Sequence, residues 1–230
     1  MSNATESGLT FGSQLGTDMV EIFVGPHRQH FRIHEHILVS NVAYFKGMFS
    51  GGFKKARTKT ADLAEDDPLV FDTFQQWLYG SKRLPPVEEP RSDKANSFVE
   101  IPDRIKLYGF AEEYCIDELA DYIMTNLMSV YCHHGHNPGV EMMVLAYEST
   151  NSRNSPLRSF MSNFLYNIIE AEKEEGLLRA RTLGNGLATN GDIITDLIVL
   201  FKMNGYQHLP IPVTIRNAYI ISMKKEQSVR

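Results

Sequence analysis

The first clear pattern in the chain is a pair of short β-prone segments. Met19–Val24 is rich in β-branched and aromatic side chains and is followed by Gly25-Pro26. After a short polar loop, residues 30–34 alternate polar and apolar side chains, as a strand with one buried face does. The two segments therefore predict a β-hairpin.

Apolar side chains then change to a helical spacing. Between residues 37 and 53 they recur at intervals of one, three and four, which predicts two short helices ending at Gly51-Gly52. A short strand is predicted within residues 58–63. Asp67-Pro68 predicts a helix start, because Asp caps free N–H groups and Pro at the first helical position loses no hydrogen bond. This helix is predicted to bury Val70, Phe71, Phe74, Trp77 and Leu78 and to end at Gly80.

The rest of the chain is predicted to be helical apart from one long loop. Residues 81–100 are rich in Pro, Ser and charged side chains and predict a solvated loop insertion. Two helices follow, the first opened by Ile101-Pro102 and the second capped by Asp117. Further helical patterns cover residues 140–147, 156–178 and 193–201.

The composition is that of a folded protein. Of the 230 residues, 43% are hydrophobic and 22% are charged, which is enough for a sizeable core without disulfides or metals. The net charge of −5 and the lack of a basic half argue against direct nucleic-acid binding. The sequence has no run of 18 apolar residues, so no membrane span is predicted.

The cysteines and the first residues indicate the cellular compartment. Cys115 and Cys132 are the only cysteines, which argues against a secreted disulfide scaffold and favours an intracellular protein, in the nucleus or the cytoplasm. Residues 1–16 lack a basic start and an apolar run, so they predict a flexible N-terminus and no signal peptide.

Particular residues within this order of elements resemble the BTB/POZ family. The matching segments are DMVEIFV at 18–24, FRIH at 31–34, ILVS at 37–40, YF at 44–45, MFSGGF at 48–53, VFDTFQQWLYG at 70–80 and LYGFAEEY at 107–114. The resemblance implies an α+β fold, a short mixed sheet flanked by helices, over residues 17–131. YEST at 147–150 and SPLR at 155–158 are similar to the helical extension of filamentous-fungal members, which implies an all-α C-terminal extension over residues 132–230.

The resemblance implies a protein-interaction adaptor or scaffold with no catalytic, cofactor-binding or metal-binding residues. Many members form homodimers through their first helices, so the expected partners are a second copy and other proteins. The expected dimer contacts are Phe11, Ile37, Val39 and Ser40. The alternative within the family is a substrate adaptor of a cullin-containing ubiquitin ligase, with contacts at Met48, Phe49, Phe53 and Lys55. Lys55 stands where cullin-binding members tend to carry an acid, and a charge reversal in an interface weakens association.

Two further positions depart from the family pattern. Asp18 and Glu35 stand where transcription-repressor members carry an acid and a base, so that ion pair is not expected here. Val42 replaces a common capping Ser, which leaves Ser40 or Asn41 as the predicted cap of the second short helix.

A metal- or cysteine-dependent enzyme is the alternative from another class. Zinc-type ligands stand at Cys132, His133, His134 and His136. The chain has no second ligand pair at ordinary spacing, so a polar connection is favoured. Cys115 follows the helical Tyr114 and is expected to be a small buried side chain rather than a nucleophile. Three histidines that could titrate together are His30, His34 and His36, although packing against neighbours is the favoured interpretation.

Overall fold

The computed structural model describes residues 15–50, 57–87, 100–133, 138–171 and 190–204, together with Gly12 and Ala188. Over these ranges the protein is mixed α+β. The strands are β1 (Met19–Val24), β2 (Gln29–His34) and β3 (Thr60–Leu63). The helices are α1 (Glu35–Asn41), α2 (Ala43–Phe49), α3 (Pro68–Tyr79), α4 (Ile101–Glu113), α5 (Asp117–Met128), α6 (Val140–Ser149), α7 (Pro156–Ala171) and α8 (Gly191–Asn204). A π-helical turn, Ser129–His133, follows α5. None of the helices in the described ranges is long and apolar enough to cross a bilayer.

β1 is the central strand of a three-stranded sheet. It pairs antiparallel with β2 and parallel with β3, which gives the strand order β2-β1-β3. Along β1 the side chains alternate, with Val20, Ile22 and Val24 buried and Glu21 exposed between them. The predicted hairpin is confirmed, and the predicted third strand is confirmed from Thr60 onward.

Two short helices follow β2, as predicted. They meet at Val42, which has an extended backbone and begins α2 without a side-chain cap. The prediction that Ser40 or Asn41 caps this helix is wrong, since the Asn41 amide donates at 2.7 Å to the Ile37 carbonyl of α1. Val42 is buried. Burial of a valine contributes about 1.5–3 kcal/mol, which exceeds the roughly 1 kcal/mol of a typical cap.

α3 begins and ends where the sequence predicts. The Asp67 carboxylate accepts a hydrogen bond of 2.9 Å from the Leu69 N–H, and the predicted glycine follows the last turn. All five side chains of the predicted buried face are buried. The rings of Phe71 and Phe74 contact that of Phe110, with centroids 6.0 and 5.1 Å apart. These aromatic side chains belong to one core.

The turn between α4 and α5 places Cys115 on the surface. The Ile116 N–H donates to the Ala111 carbonyl at 2.8 Å and the Cys115 N–H to the Glu112 carbonyl at 3.3 Å, as in a Schellman C-cap. This cap requires a left-handed residue, and Cys115 takes that conformation with a φ of 53°. Its side chain is exposed. The prediction of a buried Cys115 is therefore wrong, because the helical spacing was extended past the end of the helix.

The remaining elements lie close to their predicted bounds. α5 begins at Asp117, which is its first helical residue and not its cap. α7 begins at Pro156 as predicted, and its predicted last residues, 172–178, lie outside the described ranges. Residues 81–87 contain no helix or strand, in line with the predicted loop, and 88–99 also lie outside the described ranges.

The described residues form two compact units. The first unit comprises the described residues up to Pro85 and Phe110–Leu119. The second unit comprises the described residues within Pro86–Gly109 and those from Ala120 onward. The sequence-based boundary between residues 131 and 132 stays a prediction.

A buried arginine connects three helices of the second unit. Arg158 of α7 donates from Nε to the Thr150 hydroxyl at 2.8 Å and from Nη2 to the Tyr147 carbonyl at 3.0 Å. Its Nη1 pairs with the Asp192 carboxylate of α8 at 3.1 Å. The Tyr147 hydroxyl of α6 donates to the Asp196 carboxylate of α8 at 2.7 Å. Polar contacts therefore hold α8 against α6 and α7.

Candidate functional site

α1 presents apolar side chains both to the core and to the surface. Leu38 is fully buried, whereas Ile37 and Val39 on either side of it are half-buried and Ser40 is exposed. Leu38 thus anchors the helix while its neighbours remain accessible. Three of the four predicted dimer residues therefore have accessible side chains on α1, and the fourth, Phe11, lies outside the described residues.

A shallow depression of about 280 Å³ lies beside α1. Its lining comes from the residues before β1, from α1 and from the residue before β3. The lining residues are Gly16, Thr17, Asp18, Glu35, His36, Val39 and Lys59. Because Val39 belongs both to the depression and to the predicted dimer residues, we treat them as one candidate site, the α1 surface, which comprises Ile37, Val39, Ser40 and this lining.

Glu35 and Lys59 form an ion pair in the α1 surface. The Glu35 side chain is 16% exposed and that of Lys59 is 41% exposed, so the pair is partly shielded and less screened than a fully exposed one. From the sequence no ion pair is expected between Asp18 and Glu35. The sequence also does not indicate Lys59 as the partner of Glu35. The sheet brings Lys59 to this place, since the Glu21 N–H of β1 donates to the Lys59 carbonyl at 2.8 Å.

Two backbone features shape the α1 surface. The Glu35 N–H donates to the Asp18 carbonyl at 2.9 Å, which ties the start of α1 to the residue before β1. Lys59 has a left-handed φ of 52° directly before β3, a conformation that costs a side-chain-bearing residue about 1–2 kcal/mol. Such strain persists only where surrounding contacts hold it. The ion pair with Glu35 is one such contact.

The histidines contact different parts of the first unit. The His30 ring stacks on Phe23 with centroids 4.9 Å apart. The Tyr79 hydroxyl accepts from the His34 N–H at 2.9 Å and lies 2.8 Å from its Nδ1. His36 lines the depression. The favoured interpretation, packing against neighbours, is confirmed for His30 and His34, and the described part of the chain holds no group of three His, Cys, Asp or Glu residues that could bind a metal.

Two sets of predicted residues fall wholly or partly outside the described side chains. All four candidate zinc ligands have side chains outside the described ones, namely Cys132, His133, His134 and His136. In the cullin-type set, Phe53 and Lys55 lie outside the described residues. Met48 is half-buried, and Phe49 is buried with its ring stacked on Phe45 at a centroid distance of 6.4 Å. Phe49 therefore supports α2 from inside, and the cullin contact stays a prediction.

One polar contact in the first unit was not singled out from the sequence. The Tyr114 hydroxyl donates to the Asp66 carboxylate at 2.6 Å, and the exposed Tyr44 packs edge-on to Tyr114 with centroids 4.8 Å apart. Partial burial raises the pKa of Asp66, and the hydrogen bond from Tyr114 opposes that rise. Burial also raises the pKa of Tyr114, so its hydroxyl remains a donor at physiological pH. No local pattern links residues so distant in sequence.

Comparison with known proteins assigns no family. A scan of the chain against protein-family models gave no match, and a search of the curated proteins gave no significant match. The geometry thus defines a mixed α+β protein with a candidate interaction surface on its first helix.

Proposed function

We propose that this protein is an adaptor or scaffold that binds other proteins through a BTB/POZ-type unit and pairs with a second copy of itself. An intracellular location, in the nucleus or the cytoplasm, is part of the proposal. The order of elements supports it, because a hairpin, a helix pair, a short strand, a helix and a further helix pair follow one another along the chain. The segments that resemble the BTB/POZ family lie along the chain in this same order.

The partial exposure of Ile37 and Val39 beside the buried Leu38 is the observation that carries the proposal. Covering apolar surface contributes about 25 cal/mol per Å². Around a two-fold axis, α1 of each copy would meet α1 of the other, so every contact is made twice. The Glu35–Lys59 ion pair would lie at the edge of this contact and supply the polar rim that favours one register.

Sedimentation equilibrium of the full chain over a wide concentration range tests the α1 contact. We expect a dimer whose dissociation constant rises about tenfold or more in Val39→Glu, because like charges would meet across the axis. Leu69→Glu is the matched control, since Leu69 is 73% exposed at the start of α3 and should leave association unchanged. A parent chain that stays monomeric, or a Val39→Glu variant that dimerises equally well, would contradict this use of α1.

The adaptor role is tested by affinity capture from the native cell with matched variants. Lys59→Glu reverses the charge at this position and breaks the ion pair with Glu35, so partners that use the α1 surface should be lost with it. The same partners should be retained with Leu69→Glu. An identical set of proteins captured by the parent chain and by Lys59→Glu would argue against the α1 surface as a partner site.

A further inference from the structure

β3 lies at one edge of the sheet, and its free side carries backbone groups without a partner in the described part of the chain. On its paired side, the Lys59 carbonyl accepts from the Glu21 N–H of β1, and Thr60 lies opposite Glu21. In such a parallel ladder, Thr60 and, two residues later, Asp62 turn their N–H and C=O groups away from β1. None of the described residues forms a hydrogen bond with these four groups. The free side of Thr60–Leu63, with these groups, is called the β3 edge below.

The side chains of β3 do not oppose the addition of a further strand. A row of free donors and acceptors is a template for such a strand, and proteins often protect it with charged side chains. The charged residue of β3 is Asp62, which forms an ion pair with Arg28 of the turn between β1 and β2. Its charge is therefore already balanced. Ala61 is small and is buried on the core side of the sheet.

The β3 edge can pair with the β3 edge of a second copy about a two-fold axis at Ala61. Antiparallel pairing about this axis brings Thr60 opposite Asp62 of the second copy, and the two residues exchange two backbone hydrogen bonds. The axis repeats this pair, so all four free groups of each copy are used. Ala61 lies opposite Ala61 of the second copy, and its small side chain leaves room at the axis.

The charges at the two ends of β3 favour the antiparallel arrangement. Arg57 precedes β3 and Glu65 follows it, and both side chains are exposed. Neither has an ion-pair or hydrogen-bond partner among the described residues. Both lie four residues from Ala61, so the two-fold axis brings Arg57 of each copy towards Glu65 of the other. Parallel pairing would place like charges together, which disfavours association.

Other described charged side chains near β3 already have partners within the chain. Lys59 pairs with Glu35, and the Asp66 carboxylate accepts a hydrogen bond from Tyr114. The Asp67 carboxylate accepts one from the first turn of α3. The two free charges at the ends of β3 are thus opposite in sign, and a second copy supplies the complement of each by symmetry.

We propose that the β3 edge is a second self-association surface, at which two copies join their sheets through antiparallel β3 strands. The joined sheet has the strand order β2-β1-β3-β3-β1-β2. A four-residue strand is about 13 Å long, so the contact is small and weak by itself. It does not require the α1 contact. Because one copy can use both surfaces, dimers formed through α1 become linked into larger assemblies at high concentration.

The first test removes a backbone donor from the β3 edge. Sedimentation equilibrium of the full chain in a Val39→Glu background measures the β3 contact apart from α1. We expect a weak dimer whose association falls about tenfold or more with Asp62→Pro, because one hydrogen bond per copy is lost and the proline ring blocks the edge. Asp62→Asn is the control, since it keeps the N–H and should change association by less than about threefold.

Asp62→Pro should still fold. The N–H that it removes points away from β1, and proline is tolerated in edge strands at such positions. Far-UV circular dichroism and thermal unfolding check this. Amide hydrogen exchange locates the contact, because the N–H groups of Thr60 and Asp62 should become protected as the concentration rises. The N–H groups of Ala61 and Leu63, which already pair with β1, should not gain protection in this way.

The second test exchanges the charges at the two ends of β3. Arg57→Glu and Glu65→Arg, each in the Val39→Glu background, should each weaken association about threefold or more, because like charges then meet at both ends. An equimolar mixture of the two variants should associate to within about threefold of the Val39→Glu chain, because each end then joins one Glu to one Arg. The chain that carries both substitutions should behave like the mixture.

Three outcomes would overturn the β3 contact. The first is a Val39→Glu chain that stays monomeric at every concentration reached, which would leave the edge to a strand of another protein. The second is a folded Asp62→Pro chain that associates as strongly as Asp62→Asn. The third is a mixture of the charge variants that associates no better than its components. A Val39→Glu chain that dimerises as strongly as the parent contradicts the α1 proposal, while Asp62→Pro still decides the β3 contact.

Discussion

The hydroxyl of Tyr114 and the carboxylate of Asp66 are joined by a hydrogen bond of 2.6 Å across 48 residues of sequence. The contact links the end of α4 to the turn before α3 within the first unit. Asp66 is partly buried, and the neighbouring Glu113 and Glu65 add negative charge. Burial and these two charges raise the pKa of Asp66, and the Tyr114 hydrogen bond only partly offsets them.

The raised pKa of Asp66 predicts a pH dependence of stability. Its folded-state pKa lies above the ordinary value of 3.8, so the folded chain binds this proton more tightly than the unfolded chain. The resulting stabilisation is complete below the ordinary pKa and is lost as the pH rises through the folded-state pKa. Asp66→Asn removes this titration. The free energy of unfolding of the parent minus that of the variant should therefore fall as the pH rises from below the ordinary pKa through the folded-state pKa.

Urea unfolding at a series of pH values measures this difference. Asp67→Asn is the control, because the Asp67 carboxylate, next along the chain, is exposed. Asn also caps a helix as well as Asp does. If the free energy of unfolding of the parent minus that of Asp66→Asn grew as the pH rises, the assigned direction of the Asp66 pKa shift would be wrong.

Cys115→Gly should stabilise the protein. Cys115 occupies the left-handed position of the Schellman cap with a φ of 53°, where glycine avoids a cost of about 1 kcal/mol. Since the side chain is exposed, little packing is lost. Chemical denaturation should give a gain of about 0.5–1 kcal/mol, and Cys115→Val should lose stability because a β-branched residue resists this conformation. Equal stabilities for the two variants would count against the assigned cap.

Gly109→Ala should be strongly destabilising. A Cβ at Gly109 in α4 would overlap the carbonyl oxygen of Ser149 at the end of α6, and this backbone oxygen cannot swing away as a flexible side chain would. We expect a loss of about 3 kcal/mol in unfolding experiments. Gly47→Ala in α2 is the control, because nothing lies within 4 Å of its Cβ position. It should gain up to about 1 kcal/mol, and similar effects at both sites would refute the close approach.

Arg158→Met should loosen the second unit. The substitution leaves the carbonyls of Tyr147 and Thr150 and the hydroxyl of Thr150 without their donor. Unsatisfied buried groups cost about 1–3 kcal/mol each, so we expect a total loss of roughly 3 kcal/mol or more. Arg153→Met, at an exposed position just before α7, should change stability by less than about 0.5 kcal/mol. Thermal unfolding of both variants checks this, and matching melting temperatures would contradict the structural role of Arg158.

Local patterns predicted most of the elements because their causes are local. Asp67-Pro68 defines the start of α3 through one cap and one preset φ angle, and both act within two residues. The two errors arose where hydrophobic spacing and capping propensity did not decide the outcome. Val42 begins α2 because its side chain is buried in the core. Cys115 is exposed because the helix ends in a left-handed residue, which spacing alone does not reveal.

The α1 surface could be predicted only in part. Ile37, Val39 and Ser40 were predicted because members of the family that the chain resembles dimerise through their first helices, and the structure places all three with accessible side chains on α1. Lys59 was missed, since its proximity to Glu35 depends on the parallel pairing of β3 with β1. A basic residue directly before a strand is too common to indicate such a contact by itself.

β1 acquires its two partner strands by chain closures of very different length. Val24 lies opposite Gln29 across the hairpin, but opposite Leu63 in the parallel pair. The entropy lost on closing a loop grows with its length, and distant pairings form more slowly than adjacent ones. As the chain leaves the ribosome, the hairpin can therefore form first, while β3 joins only after both α1 and α2 have been synthesised. The Glu35–Lys59 ion pair closes at the same late step and completes the sheet edge beside α1.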